Sequence, residues 1–413
     1  MRAARPGRAL CLIVSNNFPP TIGGAGEVYA ALAAAASGRI RILCASRSYR
    51  TGKPIEGWRE HDRAVAYPVD RIARIRPGLQ RHHGRLVRLL VEEVPLRLWL
   101  LARVAWLRLR RGYRVLCIAD DETVGWLMRS AQLLLGCRVM LYSHGDDLAE
   151  TPGQERLRTR RRRQFAAADA IVAVSAACAR ELGRVFGVPP DRVTVIHNGI
   201  DTALFRPGVA DPILQREFGL HGKRVIVTVS RLVPRKGIDR VIEALPSVLK
   251  LVPDLHYLVV GDGPQADELR ALAVRCGVAA NVSFVGAVAH ADVPRYLALA
   301  ELMAMPNRRM PDGEDDGLSL IFLEANACGL PVIAGRNGGA PEVVADNVNG
   351  LLVDGNDVAA VAAAIARVLC DADFAARLAR NGIQRAANSD WARSGGEFVA
   401  LCERLAGGSG TGG

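Results

Sequence analysis

Short apolar runs recur along this chain, each followed by a loop and then by a segment with helical spacing of its apolar residues. The first run, Ala9–Ser15, gives way to a glycine loop and an alanine-rich helical segment, Glu27–Ala36. Ile40–Ala45, Val115–Ala119, Val139–Ser143, Ala170–Val174 and Val193–His197 repeat the strand pattern. Helical segments Leu127–Leu135, Gln154–Ala168 and Ala177–Phe186 lie between them. Strands this short and this continuously apolar are covered on both faces, so the pattern predicts a parallel sheet between helices.

Turn residues then gather between Asn198 and Gly222, in Asn198-Gly199, Arg206-Pro207-Gly208 and Asp211-Pro212, which reads as a linker. A second alternating series follows: strands Arg224–Ser230, His256–Val260, Val282–Val285, Leu302–Met305 and Val332–Ala334, and helices Ile238–Leu251, Ala266–Cys276, Pro294–Leu299 and one around Glu324. The expected fold class is α/β, with two doubly wound, Rossmann-like domains facing a central cleft. We place them at 8–205 and 206–388, with a helix at 389–407 packing back on the first domain and a disordered tail at 408–413. Open sheets of this kind bind ligands beyond the carboxyl ends of their strands.

Composition narrows the picture. A chain of 413 residues, half of them apolar, supports two or three domains with sizeable cores. Nine cysteines are scattered without zinc-ligand spacing, and Cys11, Cys44 and Cys117 fall in strand-like runs. They read as buried thiols of a reducing compartment. Ala9–Val14 is too short for a signal-peptide core, and Asn16-Asn17-Phe18-Pro19-Pro20 is no cleavage site. The most apolar helix, Val94–Leu109, is interrupted by Arg97, Arg103 and Arg108, so no run approaches the ~20 apolar residues of a membrane span. The expected location is cytoplasmic, peripheral at the inner face of the plasma membrane.

The net charge of +12 is unevenly spread. Twelve arginines face three acids between Asp70 and Arg114, and Arg156–Arg163 adds six more arginines. The cluster has two readings: solvated helix faces, or attraction to an anionic membrane surface or acidic acceptor. Leu96, Trp99, Leu100, Trp106 and Leu107, interleaved with these arginines, suit a membrane surface, and equally suit packing against a sheet. Nucleic acid is not expected, because neither stacking platforms nor a nucleic-acid fold is present.

The densest chemistry runs from Asp312 to Gly350: an acidic, glycine-containing loop, a short apolar helix ended by Gly329-Leu330-Pro331, a strand and a second glycine loop, Gly338-Gly339. A loop feeding a helix N-terminus presents free N–H groups and the positive end of the dipole, a site for phosphate. Continuing the helix back from Glu324 to Asp316 would put them roughly 12 Å apart at 1.5 Å per residue. That spacing suits a nucleotide sugar, anionic at the centre and hydroxylated at both ends. Arg231 and Lys236, five residues apart beside the next helix start, fit a diphosphate clamp or ordinary surface charge. Gly23-Gly24-Ala25-Gly26 after the first strand permits close backbone approach, to a ligand or to a neighbouring element. His144, in Ser143-His144-Gly145-Asp146-Asp147, follows a strand end and either faces the cleft or is satisfied by backbone. Asp146 and Asp147 suit a metal or, more simply, a helix cap. Gly261-Asp262-Gly263-Pro264 closes another strand at the same edge.

These segments, in this order, resemble the retaining glycosyltransferases of family 4, which have the GT-B fold. The likeness is carried by Gly23-Gly24, Ser143-His144-Gly145, Val174-Ser175, His197-Asn198-Gly199-Ile200-Asp201, Ser230-Arg231 with Lys236-Gly237, Gly261-Asp262-Gly263-Pro264 and Asp316–Glu324 with Gly338-Gly339. It covers about residues 8 to 390, and Leu318–Pro341 is similar to mannosyltransferases acting on phosphatidylinositol mannosides. The resemblance implies sugar transfer from a nucleotide-diphosphate donor, GDP-mannose or a UDP-hexose, to a hydroxyl of a lipid-linked or glycan acceptor. It implies no cofactor, no metal and retention by front-face attack, the leaving phosphate taking the acceptor proton.

It also assigns roles. Glu324 holds the ribose hydroxyls. Asp316 stands where the family has a glutamate touching the donor sugar; it is one methylene shorter, with Glu314 as the alternative, and Asp316→Glu is expected to keep or raise activity. Arg231 and Lys236 bind the diphosphate, joined by backbone N–H groups around Ser319 and Leu320. Val288 lies near the base, Gly23, Gly24 and Gly261 near the donor, and His144 beside sugar and acceptor. Two other readings stay open: a nucleotide-sugar 2-epimerase of the same architecture, and a non-enzymatic basic membrane-surface binder.

Overall fold

The computed structural model describes residues 9–21, 24–49, 51–77, 89–145 and 155–407. Gly23, Asp146, Asp147 and the 408–413 tail lie outside the described residues. Two all-parallel sheets form the frame. The first has seven strands in the order β3-β2-β1-β4-β5-β6-β7. These are β1 Cys11–Ser15, β2 Ile40–Ala45, β3 Val69–Ile72, β4 Val115–Ile118, β5 Arg138–Ser143, β6 Ala170–Ala173 and β7 Val193–Val195. The second has six, in the order β10-β9-β8-β11-β12-β13. They are β8 Arg224–Val229, β9 Leu255–Val260, β10 Val282–Gly286, β11 Leu302–Met305, β12 Val332–Gly335 and β13 Gly350–Val353. In each sheet the order reverses beside a central strand, β1 or β8, and this switch point is where a doubly wound sheet opens a ligand crevice.

The strands are parallel because each is followed by a helix that crosses back over a sheet face. β1, β2 and β4 are wholly buried, as their unbroken apolar sequence requires. The chain's thiols go the same way: Cys11, Cys44 and Cys117 are buried and unpaired, and burial pushes the Cys44 thiol up to about 12. β3 escapes the apolar pattern because it is a half-buried edge strand, where Asp70 pairs with Arg41 at 2.5 Å and Arg103 at 3.1 Å. β13 escapes because it opens on a glycine and follows a loop.

The final helix, Trp391–Gly407, leaves the second domain and packs on the first, adding Phe398, Leu401 and Cys402 to that core. The two crossings between domains lie side by side. The Ile200 amide donates to the Ser389 carbonyl at 2.8 Å. Gly199 is tied to this contact, since a Cβ there would sit 2.5 Å from the Trp391 nitrogen.

The arginine-rich Val94–Arg111 helix resolves part of the ambiguity in its sequence. Leu100, Val104 and Leu107 are fully buried, the i, i+4, i+7 stripe that meets the sheet. Trp99 and Trp106, also seven apart, stay 49% and 40% exposed, with the Arg103 guanidinium over the Trp106 ring at 4.5 Å. Packing therefore claims one of the apolar stripes and leaves the tryptophans outside. No described helix is long and apolar enough to cross a membrane.

Candidate active site

The helix carrying Glu324 is shorter than the sequence suggests: it spans Ile321–Ala327, and Asp316–Leu320 is loop. The 12 Å axial spacing between Asp316 and Glu324 therefore does not apply. Gly317 breaks the helix because its backbone is pressed against the first domain. A Cβ on Gly317 would lie 1.8 Å from the His144 carbonyl oxygen, and one on Gly145 would lie 2.6 Å from the Gly317 Cα.

Asp316 is 3% exposed and sits inside a knot of charge. Lys236 Nζ donates to its two oxygens at 2.9 and 3.0 Å, and Arg235 Nε donates to one of them at 2.9 Å. Ser319 Oγ accepts from Lys236 at 3.0 Å and donates to Asp316 at 3.2 Å. Arg235 also pairs with Glu314. Burial pushes the Asp316 carboxyl up, but Lys236 and Arg235 outweigh it and hold it below the usual carboxylate range. Asp316 thus organises Lys236, and both of the carboxylates weighed for the sugar contact are paired with Arg235. Nothing in the sequence sets Arg235 apart from the neighbouring Arg231 and Lys236.

Lys236 reaches this point because Gly237 takes a left-handed turn (φ 72°) directly over the Pro306 carbonyl, where no side chain fits. Arg231, at the end of β8, is exposed and makes no ion pair among the described residues. The Ser319 and Leu320 amides donate to no acceptor among the described residues, while Ser319 itself is buried. One cation and two amides are therefore open, and a second cation is held ready.

Glu324 is buried on the next helical turn, and His290 Nε2 lies 2.8 Å from one of its oxygens. Bonding to Glu324 raises the His290 pKa above its ordinary value. The His290 ring packs against Phe205, centroids 5.2 Å apart. Glu27, in the first turn of the Gly24–Ala35 helix of the other domain, lies within electrostatic reach of both, and burial pushes its carboxyl up. Sequence reading missed His290 and Glu27; the only signal was His290 standing two residues after Val288, itself half-buried against the second domain's core.

His144 stands on an aromatic platform. Its Nε2 is 2.8 Å from Tyr29 Oη, and its ring lies 5.0 Å from that of Tyr142. Tyr29 Oη also lies 3.1 Å from the Ala119 carbonyl, to which it donates. Gly24 has no atom within 4 Å of a Cβ position, so packing does not demand glycine there. Gly261 is different. Its φ is 134° and a Cβ would strike the Ser230 carbonyl at 1.8 Å, so it is glycine to let β9 back the Arg231 loop. Gly338 and Gly339 likewise press on the Asp316 and Gly317 carbonyls, 2.0 Å from their Cβ positions. They buttress the acidic loop.

Two further motifs serve the contact between domains. Ser175 caps the Ala176–Phe186 helix, accepting from the Cys178 amide at 3.0 Å, and donates its hydroxyl proton to the Gly317 carbonyl at 2.7 Å. Glu342 of the second domain accepts from the Ala176 and Ala177 amides at 2.8 Å each and meets His197 Nε2 at 2.9 Å. Burial pushes the Glu342 carboxyl up, but His197 and then the Ala176 and Ala177 amides outweigh it and hold it below its ordinary value. Arg309 and Glu181 add an ion pair at 2.7 Å.

Comparison with known proteins identifies this arrangement. The family model described as Glycosyltransferase Family 4 matches residues 22–204, and that described as Glycosyl transferases group 1 matches residues 212–385. The chain belongs to glycosyltransferase family 4. A GDP-mannose-dependent alpha-(1-6)-phosphatidylinositol monomannoside mannosyltransferase of Mycobacterium tuberculosis is 39% identical over 72% of this chain and 77% of its own length. Its namesake in Mycolicibacterium smegmatis is 32% identical over 94% of this chain and 97% of its own. The Anabaena protein HepE, solved with UDP and glucose, superposes with a TM-score of 0.75 at 22% identity, covering 96% of this chain and 99% of that one. Sucrose-phosphate synthase from Thermosynechococcus elongatus superposes with a TM-score of 0.74, also at 22% identity, covering 97% and 100%. The fold is GT-B, and the protein is a hexosyltransferase using a nucleotide-diphosphate sugar. Neither the epimerase nor the non-enzymatic binder draws support from these relatives.

Within this glycosyltransferase the second domain supplies open donors and ready cations, and the first supplies His144 and Glu27 across the cleft. Among the described residues no group of three His, Cys, Asp or Glu side chains is placed to hold a metal ion.

Proposed function

We propose that this glycosyltransferase moves mannose from GDP-mannose, with retention of configuration, to a hydroxyl of a mannosylated phosphatidylinositol lipid at an anionic membrane surface. What carries the donor and acceptor is the likeness to the mycobacterial phosphatidylinositol mannoside mannosyltransferases, one of them along nearly the whole chain. The geometry supports the chemistry. Cleaving a sugar–diphosphate bond builds charge on the leaving phosphate, and preorganised donors aimed at that charge lower the barrier. Arg231, Lys236 and the Ser319 and Leu320 amides are those donors, and they do this without a metal. Asp316 holds Lys236 in place until the diphosphate competes for it. Glu324 takes the ribose hydroxyls with its second oxygen while His290 steadies the first, Val288 lies by the base, and Gly24 and Gly261 border the donor.

In the same proposal His144, its Nε2 committed to Tyr29, lines the sugar and acceptor side. The resemblance to retaining family 4 enzymes favours front-face attack, with the acceptor proton passing to the leaving phosphate. The exposed Trp99 and Trp106 beside Arg103 and Arg110 suit a peripheral position at a membrane interface. Thermal-shift titration with GDP, UDP and ADP tests the donor, because a ligand of the folded state raises its stability by mass action. GDP is expected to stabilise most; a larger effect of UDP would overturn the GDP assignment.

A further inference from the structure

A cavity of about 990 Å³ opens in the first domain and shares no lining residue with the donor site. It lies among the Val94–Arg111 helix, the short Asp121–Val124 helix with the start of the Leu127–Leu135 helix, and the Glu155–Ala167 helix. Its walls carry Arg97, Arg129, Arg156, Arg160 and Arg163 against only Glu122 and Glu155. Two of the five arginines are engaged. Arg160 donates to the Glu122 carbonyl at 2.9 Å, and Arg97 lies 3.5 Å from Glu93 with its guanidinium over the Trp126 ring at 5.7 Å. Arg129, Arg156 and Arg163 are exposed and make no ion pair among the described residues. Elsewhere in this region the arginines are structural: Arg161 clasps Asp121 at 2.8 Å, and Arg71 holds Asp62 at 2.9 Å. Three like charges gathered on one concave wall repel one another, and an anion in the cavity relieves that repulsion.

Size and surroundings narrow the anion. The volume is at the upper end of the roughly 300–1,000 Å³ of small-molecule sites, room for a polyol phosphate and far more than a bare phosphate fills. Trp126, the ring at the wall, is already covered by Arg97, which leaves no platform on which a base would stack. Continuous with Arg97 along the chain, Leu90, Val91 and Leu98 are 60%, 68% and 62% exposed. An arginine-lined cavity, one wall of which belongs to the same chain segment as these exposed aliphatic side chains, fits a molecule that is anionic at its head and apolar behind it.

We infer that this groove takes the phosphate-bearing headgroup of an anionic phospholipid, as a docking ligand distinct from the lipid that reacts, while Leu90, Val91 and Leu98 enter the acyl boundary beside it. The inference rests on the membrane-surface reading of the proposed function and gives that reading a specific seat. It turns the arginine excess of this domain from a diffuse attraction into recognition of a headgroup, which orients the catalytic cleft relative to the bilayer.

The test is vesicle co-sedimentation of the full chain with phosphatidylcholine vesicles, with and without phosphatidylinositol. The variant R129Q/R156Q/R163Q changes only exposed side chains, and R275Q/R336Q/R380Q, in the other domain, removes the same charge away from the groove. Each cation near an anionic surface contributes roughly fivefold to binding, so the groove variant is expected to bind phosphatidylinositol vesicles about 100-fold more weakly. The control variant should stay within a few-fold of the wild type, and both should keep their melting temperature and their GDP-mannose hydrolysis. If the wild type ignores phosphatidylinositol vesicles, the membrane reading itself falls. If it binds but the groove variant binds as well, or the control loses as much, the groove inference falls and the membrane reading stands. Inositol phosphate in solution should displace the wild type from these vesicles, and failure to displace it would overturn the headgroup assignment.

Discussion

Replacing Asp316 by asparagine keeps the shape of the acidic loop and removes its charge. Asp316 is held by three donors, two from Lys236 and Arg235 at about 3 Å and one from Ser319. Removing one partner of a buried ion pair costs about 3–5 kcal/mol, because the other charge stays buried and unpaired. Arg235 keeps Glu314 as a partner and Lys236 keeps only Ser319. The low end, about 3 kcal/mol, is therefore expected. At roughly 2–4 °C per kcal/mol for domains of this size, the second domain should melt about 6–12 °C lower.

The pH dependence sharpens the test. The folded Asp316 carboxyl is more acidic than the unfolded one, so its contribution is fully present above about pH 4 and is lost as pH falls through the depressed folded value. Wild type and D316N should differ at neutral pH and converge in acid. The freed Lys236 should also bind diphosphate more readily, so GDP should raise the melting temperature of D316N more than that of the wild type. Differential scanning calorimetry with and without GDP reads both effects. An asparagine variant that melts within about 1 °C of the wild type at neutral pH would refute the knot as a stabilising element.

Other outcomes follow from the same geometry. Asp316→Glu, expected from sequence to keep or raise activity, adds a methylene where Gly338 and Gly339 already press on the loop, so it should cost about 1–3 kcal/mol in a urea titration and lower turnover. Lys236→Ala should lower kcat by about 10²–10³ with a smaller effect on stability, since Arg235 still neutralises Asp316; unchanged turnover would sink the clamp. The His290–Glu324 bond stabilises the fold below about pH 6.5 and weakens as pH rises through the raised His290 value, so His290→Ala should flatten the stability profile on the alkaline side. Glu342→Gln removes the charge that joins the domains at the Ala176–Phe186 helix, and small-angle scattering should show a larger radius of gyration; an unchanged radius would mean that the contact does not hold the cleft closed.

The sheets were legible because their strands are buried on both faces and hence continuously apolar, as in Cys11–Ser15 and Leu255–Val260. Edge strand Val69–Ile72 was not, because half-burial lets Asp70 and Arg71 into it. The site was legible as a set of residue types and less so as a set of contacts. Arg231, Lys236 and Glu324 stand out by charge beside turns. Arg235, Tyr29, His290 and Glu27 do not, because each gains its meaning from a partner more than twenty residues away that only the fold brings near. The glycines carry a second reason that sequence does not show: at Gly261, Gly338 and Gly339 backbone carbonyls of this chain occupy the space where a Cβ would sit.

The measurement closest to the centre of this account is a transfer assay with radiolabelled GDP-mannose and a phosphatidylinositol monomannoside acceptor, run beside UDP-glucose and beside Glu324→Ala. A labelled dimannosylated lipid from GDP-mannose alone, its formation depressed by the Glu324 variant mainly through a raised donor KM, is the predicted result. Transfer from UDP-glucose with none from GDP-mannose, or a Glu324 variant that retains the wild-type KM, would contradict it.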